Sequence, residues 1–309
     1  MKARILSLAA IIFSLSFLLV SCQKDAADSQ PDYTTETATH SDDDSRFADE
    51  SDAAANDISL QLEATAGFGR GQQVQSLICD ATVVVDTLSN PRTITITFNG
   101  TNCLGNRTRT GVIVVSMAQG VRWANAGAIL NVTFQNFRIT RLRDNKSITI
   151  NGTQTYTNVS GGLLINLAVL NTITHTITSS NMSVTFDNGS QRTWQVARRR
   201  VFTYNNGAVI TVTGMHSEGA VTGIAEWGTN RFGRNFTTVI AEPIVRRQDC
   251  SFRVGSGKVT HTTPVFTASA TFGLNASGNP TTCPGTGNYY MKVEWTGPNN
   301  ITHTTLLPY

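Results

Sequence analysis

From residue 92 onward, apolar and polar side chains alternate in one run after another: "RTITITF" (92–98), "GVIVVSM" (111–117), "ILNVTFQNFRIT" (129–140), "SITINGTQTYTNV" (147–159), "NTITHTITS" (171–179), "TWQVARRRVFTY" (193–204), "AVITVTG" (208–214) and "YYMKVEWTG" (289–297). A period of two puts successive side chains on opposite faces of a strand, and the Thr, Val, Ile and aromatic residues that fill these runs fit a pleated surface. Turn residues such as Asp187-Asn188-Gly189 and Asn205-Asn206-Gly207 separate the runs at hairpin distance. No run after Ala64 has a helical period, so there are no crossover helices and the connections are antiparallel. The pattern predicts an all-β domain over residues 65–309, an antiparallel meander of about twelve to fifteen long strands forming a curved sheet, a sandwich or an open barrel.

The first 64 residues read differently. Lys2 and Arg4 precede an apolar run, Ile5 to Val20, whose polar residues are Ser7, Ser14 and Ser16. That is the order of a secretory signal, and the run is shorter than the roughly 20 residues of a membrane-spanning helix. Leu19-Val20-Ser21-Cys22 closes it and resembles the lipobox of bacterial lipoproteins. The resemblance implies a signal peptide over 1–21, a diacylglycerol- and palmitate-bearing Cys22, and a lipid bilayer as the first partner. Gln23-Lys24-Asp25 resembles the Lys-plus-acid signals that send lipoproteins of the Bacteroidota to the outer cell surface. It implies an outer-membrane location facing outward, with the periplasmic face as the alternative. Between Gln23 and Ala64 stand twelve acidic residues and two basic ones, Lys24 and Arg46. Such a stretch, padded with Ser, Thr and Ala, reads as a disordered acidic tether over 22–64.

Charge sharpens the contrast. The net charge of +3 conceals a tether near −10 and a β domain with twenty basic and nine acidic residues. Seventeen of the twenty are Arg, whose planar fork suits carboxylate, sulfate or phosphate. Clusters at Arg138, Arg141, Arg143 and Lys146, at Arg198, Arg199 and Arg200, and at Arg246 and Arg247 are the candidates for an anionic ligand: acidic polysaccharide, lipopolysaccharide phosphate or extracellular DNA. The alternative is that these arginines decorate solvent-facing strand positions and discourage edge pairing.

Four further cysteines mark a faint internal repeat. "CDATVVVDTLSNPRTITITFNGTNC" (79–103) and "CSFRVGSGKVTHTTPVFTASATFGLNASGNPTTC" (250–283) both run cysteine, strand, proline-bearing turn, strand, Gly/Asn loop, cysteine. Four cysteines in an exported chain permit three pairings, and the repeat favours Cys79 with Cys103 and Cys250 with Cys283. None stands at C-x-x-C spacing, so no metal is expected there. "PRTITITFNGTNCLGNRTRTGVIVV" (91–115) and "GTNRFGRNFTTVIAEPIVRRQDCSFRVGSGKV" (228–259) resemble a group of uncharacterised lipoproteins of the Bacteroidota, a likeness that implies compartment and fold and carries no activity.

Catalytic chemistry finds little support. No G-x-S-x-G elbow occurs, and "VGSGK" (254–258) lacks the spacing of a phosphate loop. Glu226 beside Trp227 and Glu294 beside Trp295 are the acid–aromatic pairs that suit a sugar, but strand neighbours point to opposite faces. His175, His261 and His303 stand between threonines, and with His216 they read as surface residues without a metal or catalytic role. Asp86-Thr87-Leu88 resembles a short O-glycosylation acceptor, with Thr87 the modified residue. The expected protein is therefore no enzyme and needs no cofactor. It is a membrane-anchored lipoprotein whose β domain binds a ligand or another envelope component, with a purely structural outer-membrane part or a carbohydrate-active hydrolase as the alternatives.

Overall fold

The computed structural model describes residues 33–65, 68, 78–179, 181–283, 287–297 and 300–309; Cys22, the expected signal peptide over 1–21 and the first part of the expected tether lie outside them. Residues 33–309 form one unit. It begins with a helix, α1 (Thr34–Ala64), followed by strands β1 (Ala81–Asp86), β2 (Arg92–Thr101), β3 (Arg107–Met117), β4 (Ala128–Arg141) and β5 (Ser147–Asn158). A one-turn helix, α2 (Leu167–Leu170), leads to β6 (Thr172–Ser179), β7 (Ser183–Phe186), β8 (Gln191–Tyr204), β9 (Ala208–Gly214), β10 (His216–Glu218) and β11 (Val221–Thr229). The chain ends with β12 (Asn235–Arg247), β13 (Val254–Thr262), β14 (Thr267–Leu274), β15 (Tyr290–Thr296) and β16 (Thr302–Pro308).

All sixteen strands belong to one antiparallel sheet, one strand more than the upper expectation. Neighbours in sequence are neighbours in space except at two places. There, β6 and β7 lie end to end between β5 and β8, and β9 and β11 lie end to end between β8 and β12. The sheet is bent by bulges. Opposite Gly111 the β3–β4 register slips, and a Cβ at this glycine (φ +99°) would collide with the Asn136 carbonyl. At Gly273 (φ +81°) the Gly255 carbonyl occupies the same place.

The bent sheet wraps around α1, which corrects the expectation of a disordered tether. Residues 34–64 contain neither Gly nor Pro, and Phe47, Ser51, Ala54, Ala55, Ile58 and Leu62 recur every three or four positions to form a stripe. That stripe is buried among the inward residues of β2 to β8, including Ile94, Ile113, Val132, Ile150 and Trp194. A second cluster joins β8, β9 and β12 to β15 through Phe202, Ile210, Val259, Phe272 and Trp295. The polar faces of α1 are buried as well: Asp43, Asp44, Glu50 and Asp52 are each no more than 3% exposed. A lone acidic helix gains too little from its own propensity to stand in water, so the sheet supplies what makes it helical. The domain boundary consequently moves from residue 65 to residue 33. No helix among the described residues is long and apolar enough to cross a membrane.

Both favoured cysteine pairs are joined. Cys79–Cys103 has a Cα separation of 5.4 Å and Cys250–Cys283 one of 4.9 Å. β1 and β16 terminate the sheet and do not pair with each other. Instead the Arg143 guanidinium, in the β4–β5 turn, donates to the Pro308 carbonyl and draws the last strand towards that turn.

Candidate functional site

The inward face of the sheet alternates apolar residues with arginines, and α1 meets them with carboxylates. On β8 the set Trp194, Val196, Arg198, Arg200 and Phe202 points inward because all share one parity. Going down the helix, Glu36 accepts from Arg234 (2.8 Å), and Asp42 meets Arg141 (3.0 Å) and Lys146 (3.4 Å). Asp43 receives both Nε and Nη2 of Arg231 at 2.6 Å, and Asp44 accepts the Thr238 hydroxyl at 2.8 Å. Next come Asp49 with Arg246 (2.8 Å), Glu50 with Arg107 (2.9 Å), and Asp52 with Arg246 (2.9 Å) and Arg198 (3.4 Å). Asp57 meets Arg109 at 2.7 Å, and Glu63 accepts the amides of Leu164 and Ile165. All nine carboxylates of the helix are thus bonded to the strands or to the turns and connections between them.

Electrostatics follows burial and pairing. Burial raises the Asp52 pKa, but Arg246, Arg198 and Arg200 together outweigh it and hold the carboxyl below its ordinary value. At Asp43 burial prevails over Arg231 and Arg46, and the pKa rises to about 6. Arg200, wholly enclosed, is lowered by burial; it donates to Asn56 at 2.6 Å and lies over the Phe202 ring.

These contacts correct most of the anion-ligand candidates. Arg198, Arg200 and Arg246 are no more than 4% exposed and are engaged by Asp52, Asn56, Asp49 and Glu226. Arg141 and Lys146 are held by Asp42, and Arg141 also by Asp144. Arg138 and Arg199 are exposed on the outer face, and Arg247 pairs with its neighbour Asp249. From Tyr33 to Tyr309 there are twenty-one basic and eighteen acidic residues, so the large positive charge ascribed to residues 65–309 is cancelled inside the fold. The acid–aromatic pairs do not meet in one cleft: Glu226 is buried between Trp194 and Arg198, whereas Glu294 pairs with Lys292 on β15. Two of the four histidines read as surface residues, His175 and His261, are buried, at 3% and 0% exposure. Thr87 sits on the exposed β1–β2 turn, where Asp86 caps the amides of Leu88 and Ser89.

One strip of α1 remains uncovered. Asp49, Ala53, Asn56, Asp57, Leu60 and Glu63, spaced by three or four, form the floor of a groove of about 1260 Å³. One lip is made by the β2–β3 and β4–β5 turns with Leu104, Leu142 and Arg143; the other is made by Phe252, Arg253, Gly287 and Tyr309. Leu60, Leu104, Leu142 and Ile165 are between 43% and 60% exposed there. Arg253 donates to the Gly287 carbonyl (2.6 Å) and to the main-chain oxygen of Tyr309 (3.2 Å) and stacks on Tyr289, with no Asp or Glu side chain in ion-pair range among the described residues. The groove thus combines exposed apolar side chains with the Arg253 guanidinium, which no Asp or Glu side chain pairs among the described residues. Sequence reasoning missed it because its floor lies on the segment read as a tether.

No protein-family model matches the chain, and no curated protein or solved structure matches it either.

Proposed function

We propose that this protein is an envelope lipoprotein, anchored through Cys22, whose rolled sheet binds an anionic amphiphile in the groove along α1. The observation that carries the reading is the groove itself. Its volume exceeds the roughly 300–1,000 Å³ of ordinary small-molecule pockets, which suits an elongated ligand. Exposed leucines at floor and lip favour an acyl chain, and Arg253 on the far lip favours a carboxylate or phosphate head. Among the anions considered from the sequence, this chemistry favours the lipid part of an envelope component over acidic polysaccharide or DNA, whose attraction rested on charge that the helix neutralises.

The test is titration of the full chain with a dansylated undecanoic acid at physiological salt. Saturable binding is expected, weakened at least tenfold by Leu60→Asp or by Arg253→Glu, with duplex DNA unable to compete. Absence of saturation, or unchanged affinity in both variants, overturns the groove assignment. The anchor is tested separately: Cys22→Ala should move the protein out of the membrane fraction, and retention there overturns lipidation.

A further inference from the structure

We infer that His40, Asp44 and His261 form a buried site for a first-row divalent transition ion such as Zn²⁺. His40 and Asp44 are four residues apart on α1 and so share one face, one turn apart. β13 brings His261 against them, and one ligating atom from each of the three residues falls within 4.8 Å of the others. A tetrahedral zinc ion holds its donors about 3.4 Å apart at bond lengths near 2.0–2.1 Å.

Three observations independent of the spacing point to a cation as the ligand. Asp44 is 3% exposed, yet among the helix's aspartates it alone has no arginine or lysine partner among the described residues. His40 is wholly buried with neither ring nitrogen hydrogen-bonded, beside the rings of Phe236 at 4.8 Å and His261 at 5.0 Å. His261 is wholly buried too, and its Nε2 has no partner. Thr238 completes the picture. Its hydroxyl donates to Asp44 at 2.8 Å and stands 3.1 Å from His261 Nδ1, which lies 3.9 Å from Asp44; with the Thr238 proton on Asp44, Nδ1–H donates to Thr238 and the Nε2 lone pair is left unused. Such an outer contact fixes the ring and its tautomer, as it does for ligating histidines generally. Two imidazoles and one carboxylate select zinc and its neighbours over calcium or magnesium, which take oxygen. Trp194 and Phe266, whose rings lie 6.2 Å from His40, help to enclose the site, and an ion there would tie α1 to β13.

The full chain should be refolded with Co²⁺ as the probe. One Co²⁺ per chain with a visible ligand-field band, displaced by Zn²⁺, is expected. His40→Ala and His261→Ala should each weaken uptake at least tenfold, and Asp44→Asn, which keeps an acceptor for Thr238, should weaken it while retaining the fold by circular dichroism. Refolded wild type that takes up no stoichiometric Co²⁺ overturns the inference whether or not the variants fold. Equal uptake by wild type and the His40→Ala/His261→Ala double variant also overturns it, by moving the metal to His216 or His303.

Discussion

Asp52 faces three guanidiniums, those of Arg198 and Arg200 on β8 and of Arg246 on β12, and is itself 2% exposed. Removing Asp52 leaves the buried Arg200 with Asn56 alone and takes one of two carboxylates from each of Arg198 and Arg246, and breaking such a buried set costs about 3–5 kcal/mol. Asp52→Asn is expected to lower stability by that amount in urea unfolding with an unchanged m-value; a loss below about 1 kcal/mol would mean that water reaches the set. His175 gives a pH signature. It packs between Trp123 (5.0 Å) and Phe202 (4.9 Å), and burial, with Arg200 adding to it, lowers its pKa to about 3. The unfolded chain binds this proton near pH 6.5 and the folded chain does not. The contribution is therefore complete above pH 6.5 and is lost as pH falls from there towards 3, at about 1.4 kcal/mol per unit. His175→Gln should match wild type at pH 8 apart from a constant offset and remove that much of the slope between pH 6 and 5, read from urea midpoints. Parallel profiles would show that His175 is not the group that titrates.

At the scale of elements the strands were readable and the helix was not, for one physical reason. A strand announces itself by local alternation, and the runs from "RTITITF" to "YYMKVEWTG" became β2 to β6, β8, β9 and β15 within a few residues. The helix is made by partners far away in the chain: its carboxylates look unpaired until β3, β8 and β12 fold around them. Two signals were nonetheless present, the Phe47-to-Leu62 stripe and the lack of Gly or Pro from 34 to 64. The parity of Arg198 and Arg200 with Trp194, Val196 and Phe202 was a third, placing both arginines on an apolar and hence inward face. The groove needed the assembled roll. If helix and sheet complete each other, a chain beginning at residue 65 has an unfilled core and unneutralised inward arginines. It should show no cooperative unfolding transition, and a peptide spanning 33–64 added in trans should restore one. A cooperative transition in the truncated chain alone would make the helix a dispensable lodger.

For the molecule as a whole, the sheet rolls without β1 pairing to β16, and the groove opens among the β2–β3 and β4–β5 turns, residues 248–253 and residues 287–288. Its two lips carry the two disulfides. Cys103 lines one lip and ties the β2–β3 turn to Cys79; Cys250 precedes Ser251 and Phe252 on the other lip and ties it to Cys283. With separations of 24 and 33 residues, each bond removes loop entropy from the unfolded chain worth about 3–4 kcal/mol. The same bonds restrain the lips in the folded state, alongside hydrogen bonds such as those of Asn102 with Asn106 and of Arg253 with Gly287. The two effects separate in experiment. Cys79→Ser/Cys103→Ser should unfold at lower urea by about 3 kcal/mol and, under conditions where it is still folded, bind the dansylated acid several-fold more weakly than wild type. Cys250→Ser/Cys283→Ser should do the same from the opposite lip, with the larger effect on binding because Arg253 is on that side. Loss of stability with unchanged probe affinity in both variants would mean that the lips are held by the helix and the turns alone.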